Sequence, residues 1–146
     1  MILRLTSEQL RFLKDESRKA HPIEACALLF GRLKYREAVV TKVVVMTNVL
    51  EASTRFKADP QKVFDAFEEA ERDRLQFIGF FHSHPAPARP SEVDLQYMRL
   101  WGEAVWLILS ASDGRIAAFQ MTDGNLHELA IKVESTRRLE TGNVSS

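Results

Sequence analysis

The chain has 146 residues, which suits one domain with one core. With 45% apolar and 27% charged residues it reads as a folded chain, not a disordered one. Its 20 Lys and Arg balance 20 Asp and Glu, so no basic surplus points to nucleic acid. Cys26 is the only cysteine, which excludes an internal disulfide and fits a reducing compartment. Met1 to Glu8 holds no apolar stretch of signal-peptide length. Runs such as Ala25 to Phe30 fall far short of the roughly 20 residues of a membrane span. The expectation is a soluble cytoplasmic protein with no membrane partner. Its oligomeric state is open, and a homo-oligomer is allowed.

Ile2 to Leu5 reads as a short strand. Thr6 with Gln9 forms a capping box for a helix over Ser7 to Ala20, whose thin stripe is Leu10, Leu13 and Ala20 with Phe12 beside it. Pro22 follows as a stop signal. Ala25 to Phe30 is a buried strand, Ala38 to Met46 a second, and Ser53 to Lys57 a short third. Asp59-Pro60 starts another helix, with Val63, Phe64, Phe67 and Ala70 at helical spacing and an end near Arg74. Phe77 to His82 is a strand. Ser91 opens a helix with Val93, Tyr97, Leu100 and Trp101 on one face; Trp101 and Trp106 read as core. Ala104 to Ser110, Ile116 to Met121 and Leu126 to Val133 are strands, joined by turns at Ser112-Asp113-Gly114 and Asp123-Gly124-Asn125. This order predicts an α+β fold, a mixed β-sheet flanked by helices. Residues 133–146 read as a polar tail.

Chemistry concentrates in His82-Ser83-His84-Pro85 and Ser91-Glu92-Val93-Asp94. Residues two apart on a strand share a face, so His82 and His84 can aim at one centre. Neutral imidazole is a good zinc ligand, and Asp94 in the first turn of the next helix is a source for a third. Two His and one Asp leave a tetrahedral position open, the pattern of a catalytic zinc and not a structural one. The bland readings are a decorated strand end and a plain Ser-x-x-Asp capping box. Ser83 should face away from the ligands and play a structural role. Cys26, inside an apolar run, reads as a core residue and not a nucleophile.

Together these residues resemble the JAMM, or MPN-plus, metallopeptidases, whose pattern is an early glutamate, His-Ser/Thr-His-Pro, a short loop and Ser-x-x-Asp. Here those are Glu24, His82-Ser83-His84-Pro85 and Ser91-x-x-Asp94. Asn48, Phe56 and Asp59-Pro60 resemble the stretch before the family's second helix. Departures are a loop of 6 residues, Pro85 to Pro90, where the common form has one more, and Ala27 where glycine is common. There is no long insertion after Asp94.

The resemblance implies an MPN-type fold related to the cytidine deaminase-like sandwich, with the catalytic domain over residues 1–132. It implies zinc on His82, His84 and Asp94, Glu24 as the base, and Ser91 as donor to the oxyanion, a role that competes with capping. It implies hydrolysis of isopeptide or peptide bonds after the C-terminal tail of ubiquitin-like or sulfur-carrier proteins. Such a tail could lie as a strand beside a sheet edge. Two alternatives stand: a non-catalytic scaffold of the same fold, and a non-haem iron oxygenase using a two-His-one-carboxylate triad.

Overall fold

The computed structural model describes residues 1–46, 59–85 and 87–135. In chain order its elements are β1 (Ile2–Thr6), α1 (Ser7–Ala20), β2 (Cys26–Lys34), β3 (Glu37–Met46), α2 (Pro60–Arg72), β4 (Gln76–His84), α3 (Glu92–Leu100), β5 (Val105–Ser110), β6 (Ile116–Thr122) and β7 (Asn125–Glu134). The third strand expected at Ser53 to Lys57, and Asn48 and Phe56, lie outside the described residues. Among the described residues, no helix is long and apolar enough to cross a membrane.

The fold is mixed α+β, as the element order implied, but the sheet is not an open layer. Its strands run β1-β3-β2-β4-β5-β6-β7 and close into a barrel. Closure comes from β1, which pairs in parallel with β7 over five residues and with β3 over three. Arg4 on β1 bonds Glu37 of β3 and Glu134 of β7, tying both seams.

Two apolar clusters show why the central strands read as continuous apolar runs. One holds Leu3, Leu29, Val40, Phe81, Leu107, Ala118 and Leu129 and is closed by Leu13 of α1. The other holds Leu28, Phe30, Phe80, Trp106 and Ile108 and is covered by Ala66 and Ala70 of α2 and Met98 of α3. A strand buried on both faces loses the polar alternation of a half-exposed one.

Local signals set the ends. Thr6 and Gln9 form the expected capping box, and Asp59 accepts from the Gln61 amide with Pro60 at the first helical position. Asp123 and Gly124 both have positive φ, and Thr122 pairs with Asn125, so the β6–β7 turn is a two-residue primed turn. Two expected inward faces are corrected. Phe64 is exposed, because the inward stripe of α2 runs through Val63, Ala66, Phe67 and Ala70. On α3, Tyr97, Leu100 and Trp101 face solvent, and Asp94, Leu95 and Met98 point inward. Trp101 stays partly covered through edge contact with Phe80, ring centroids 4.8 Å apart.

Candidate metal centre

A bulge sets the phase of the histidine strand. Leu29 pairs with Gly79 and Phe30 with Phe77, so Ile78 is an extra residue in β4. Phe77 and Phe80 therefore share one cluster, although three residues apart, while Ile78 and Phe81 join the other. His82 and His84 continue the phase of Phe80, toward α3. Gly79 permits the close packing beneath them: a Cβ there would lie 1.8 Å from the Val105 carbonyl oxygen.

The two imidazoles stack with centroids 4.7 Å apart and planes 12° apart. Asp94 Oδ2 lies 2.8 Å from His84 Nε2 and 3.4 Å from His82 Nε2. His84 Nδ1 is 3.3 Å from the Pro87 carbonyl, to which it donates, leaving Nε2 to face the centre. Glu24, in the segment between α1 and β2, completes a buried group. One ligand atom each from Glu24, His82 and His84 lies within 4.8 Å of the others, so these three could hold a metal ion.

Ser83 points away, as strand alternation required. Its Oγ accepts from the Ala25 amide at 2.9 Å, and its own amide donates to the Ala25 carbonyl at 3.0 Å. These two bonds fix the chain beside Glu24. Ser91 and Asp94 form a full capping box: Ser91 Oγ accepts from the Asp94 amide at 3.1 Å, and Asp94 Oδ2 accepts from the Ser91 amide at 2.9 Å. The expected competition between capping and oxyanion donation is thereby removed. Capping uses an oxygen lone pair, and the hydroxyl hydrogen remains to donate. The Pro87 carbonyl left no trace in the sequence, because a backbone acceptor can belong to any residue.

Burial dominates the electrostatics. It pushes the Glu24 carboxyl up to about 7, with His84 opposing and Asp94 adding. It lowers His82 against the pull of Asp94. Burial would also lower His84, but its hydrogen bond to Asp94 and the nearby negative charge outweigh it and raise the group. Burial would raise Asp94, but hydrogen bonds from His82 and His84 hold it well below the usual carboxylate range. Cys26 is pushed up to about 12 by burial and then by Glu24, and its thiol donates to the Met46 carbonyl at 3.2 Å. It is a core thiol, as its apolar neighbours indicated.

Residues 7–122 match the family profile of prokaryotic homologs of the JAB domain. The chain belongs to the JAMM, or MPN-plus, family. This JAB domain is 38% identical over 114 residues to the desampylase of Pyrococcus furiosus, covering 77% of each chain. It is 35% identical over 130 residues to the probable TtuB-protein conjugate cleaving protease of Thermus thermophilus, covering 84% of this chain and 80% of that one. A Desulfitobacterium hafniense protein solved in solution superposes with a TM-score of 0.80 at 30% identity, over 92% of this JAB domain and 94% of that chain.

Proposed function

We propose that this chain is a zinc-dependent isopeptidase that cuts conjugates of ubiquitin-like or sulfur-carrier proteins after the modifier's C-terminal tail. The observation that carries the reading is the convergence of Glu24, His82, His84 and Asp94 in one buried group at the end of β4. The substrate class rests on the desampylase and the TtuB-conjugate protease that the chain resembles. We assign the catalytic unit to residues 1–134, two residues beyond the boundary expected from the sequence, because Val133 and Glu134 still pair with β1. We read the barrel with α1 on one side and α2 and α3 on the other as an elaborated cytidine deaminase-like sandwich. A buried reduced thiol at Cys26 fits a cytoplasmic setting.

The donor set fits zinc. Two imidazole nitrogens and a carboxylate oxygen are its usual open-site ligands, and donors at about 2.0–2.1 Å around a tetrahedral ion stand roughly 3.3 Å apart. The 3.4 Å separation of His82 Nε2 and Asp94 Oδ2 matches that spacing, and the 2.8 Å between His84 Nε2 and Asp94 Oδ2 is a hydrogen bond that a bound ion would replace. We therefore give His82, His84 and Asp94 the metal and leave Glu24 for proton transfer. Zinc, when bound, supplies Lewis-acid polarisation and an acidified water. Glu24 takes a proton from the attacking water and delivers it to the departing amine; burial poises its carboxyl near neutrality for both tasks. The Ser91 hydroxyl, held by its capping bond, donates to the oxygen that gains charge. The Pro87 carbonyl orients His84. Every described strand pairs on both sides along part of its length, and β3 offers a substrate tail an open edge beyond Val39, where its pairing with β1 ends.

The test is incubation of purified protein with modifier conjugates, with and without a chelator. Cleavage should stop with chelator and return with zinc. Glu24→Gln should retain zinc and lose at least about 100-fold in turnover. Equal rates for parent and variant would remove Glu24 from the chemistry.

A further inference from the structure

Two elements contribute the residues assigned to the metal: β4 carries His82 and His84, and α3 carries Asp94. The capping box and the His84 hydrogen bond to Pro87 hold each part locally. Neither sets how high α3 stands above the sheet. The side chains packed between helix and sheet do that. The bulkiest in this apolar cluster is Trp106 of β5, which is 3% exposed. It pairs with Phe80 in the parallel β4–β5 ladder, while His82 pairs with Ile108. The indole therefore reaches His82 diagonally on the same face. Its ring lies 4.6 Å from that of Phe80 and 6.0 Å from the His82 imidazole, which it meets at 61°. On the helix side the cluster holds Met98, four residues beyond Asp94 and so on the same face of α3. Trp106 Nε1 is buried and has no partner among the described residues. A buried donor left unpaired is costly, and phenylalanine would pack here without that cost. The position therefore uses the size of the indole and not its hydrogen bond.

We infer that Trp106 is a positioning residue for the metal centre: it braces the His82 ring and holds α3 at the height that puts Asp94 Oδ2 3.4 Å from His82 Nε2. The inference rests on the ligand assignment above. A narrower side chain in place of Trp106 leaves space beside His82. The imidazole then turns into that space, or α3 sinks toward the sheet and takes Asp94 with it. Either movement changes a separation that a tetrahedral ion holds at roughly 3.3 Å. Asp94 is not free to compensate, because the same oxygen accepts from the Ser91 amide. Trp106 is buried away from substrate and acts only through His82 and Asp94.

Cobalt(II) binding to the metal-free protein tests this, because its visible bands report geometry as well as affinity. Trp106→Phe and Trp106→Leu should each weaken cobalt binding at least about tenfold and reduce the intensity of the tetrahedral bands. Zinc binding, read by competition with cobalt, should weaken by a similar factor. Phe30→Leu is the control. Phe30 is fully buried in the same cluster, but its ring neighbours are Phe67 and Phe77 and not a ligand. Phe30→Leu should lower the urea midpoint at least as much as Trp106→Phe, which also removes the unpaired donor. It should keep cobalt affinity within about threefold of the parent. If Trp106→Leu fails to fold, Trp106→Phe decides. Unchanged affinity and bands in Trp106→Phe, or an equal loss of affinity in Phe30→Leu, would overturn the positioning role. A parent that binds neither cobalt nor zinc overturns the ligand assignment and this inference with it.

Discussion

Asp94 holds two tasks in one oxygen. Its Oδ2 accepts from the Ser91 amide and touches both imidazoles. Sequence could justify either task, since Ser-x-x-Asp is a capping box wherever it occurs, and only the distances show that one atom meets both. Asp94→Ala should therefore lose zinc and also about 0.5–2 kcal/mol of stability from the broken box. Zinc content and the unfolding midpoint, measured on the same protein, separate the two. Retained zinc with a lowered midpoint would leave Asp94 as a cap and require another third ligand. Ser83 was legible from strand alternation alone: between two inward histidines it had to turn outward. Its partner was not legible, because Ala25 lies 58 residues away in sequence.

The same division runs through the elements. Strands β2, β4 and β5 were visible as apolar runs because both their faces are buried. The inward face of α3 was misread for a physical reason. Val93, Tyr97, Leu100 and Trp101 recur at helical spacing, but Asp94 must face the histidines, and that turns the helix so that Leu95 and Met98 pack and Tyr97 and Leu100 do not. The contact of Asp94 with the two imidazoles outweighs the apolar stripe on so short a helix. The bulge at Ile78 was equally hidden, yet it decides which way His82 and His84 point. Gly79 beside it makes the point testable. A methyl group there meets the backbone of Val105, which cannot swing away as a side chain would. Gly79→Ala should cost about 3 kcal/mol or more, read as a lower urea midpoint, and should weaken zinc retention because β4 must separate from β5. A shift under about 0.5 kcal/mol would show that the two strands part easily.

Closure of the barrel belongs to the whole molecule. It depends on parallel pairing of Ile2–Thr6 with Ala130–Glu134, the first strand with the last, and no local pattern encodes such a pair. Closure and the layers of helices together bury Glu24, and that burial has a consequence for global stability. In the folded, metal-free protein the Glu24 carboxyl titrates near 7, against 4.5 as its ordinary value. A raised carboxylate pKa means that the folded state holds the proton more tightly than the unfolded one. Between these two values stability must fall as pH rises, and the loss is complete above about 7. Asp94 has the opposite sign, with stability lost only as pH falls through its depressed folded value, and it titrates in the same sense in parent and variant. Glu24→Gln removes the first effect because the amide does not titrate. The metal-free variant should match the parent near pH 4 and exceed it at pH 8 by at most about 3 kcal/mol. The figure is a ceiling, because His84 also loses the support of the Glu24 charge. Urea unfolding of both metal-free proteins at the two pH values measures the difference. A gap of the same size at both would mean that the substitution acts through packing, and that burial does not hold a proton on Glu24.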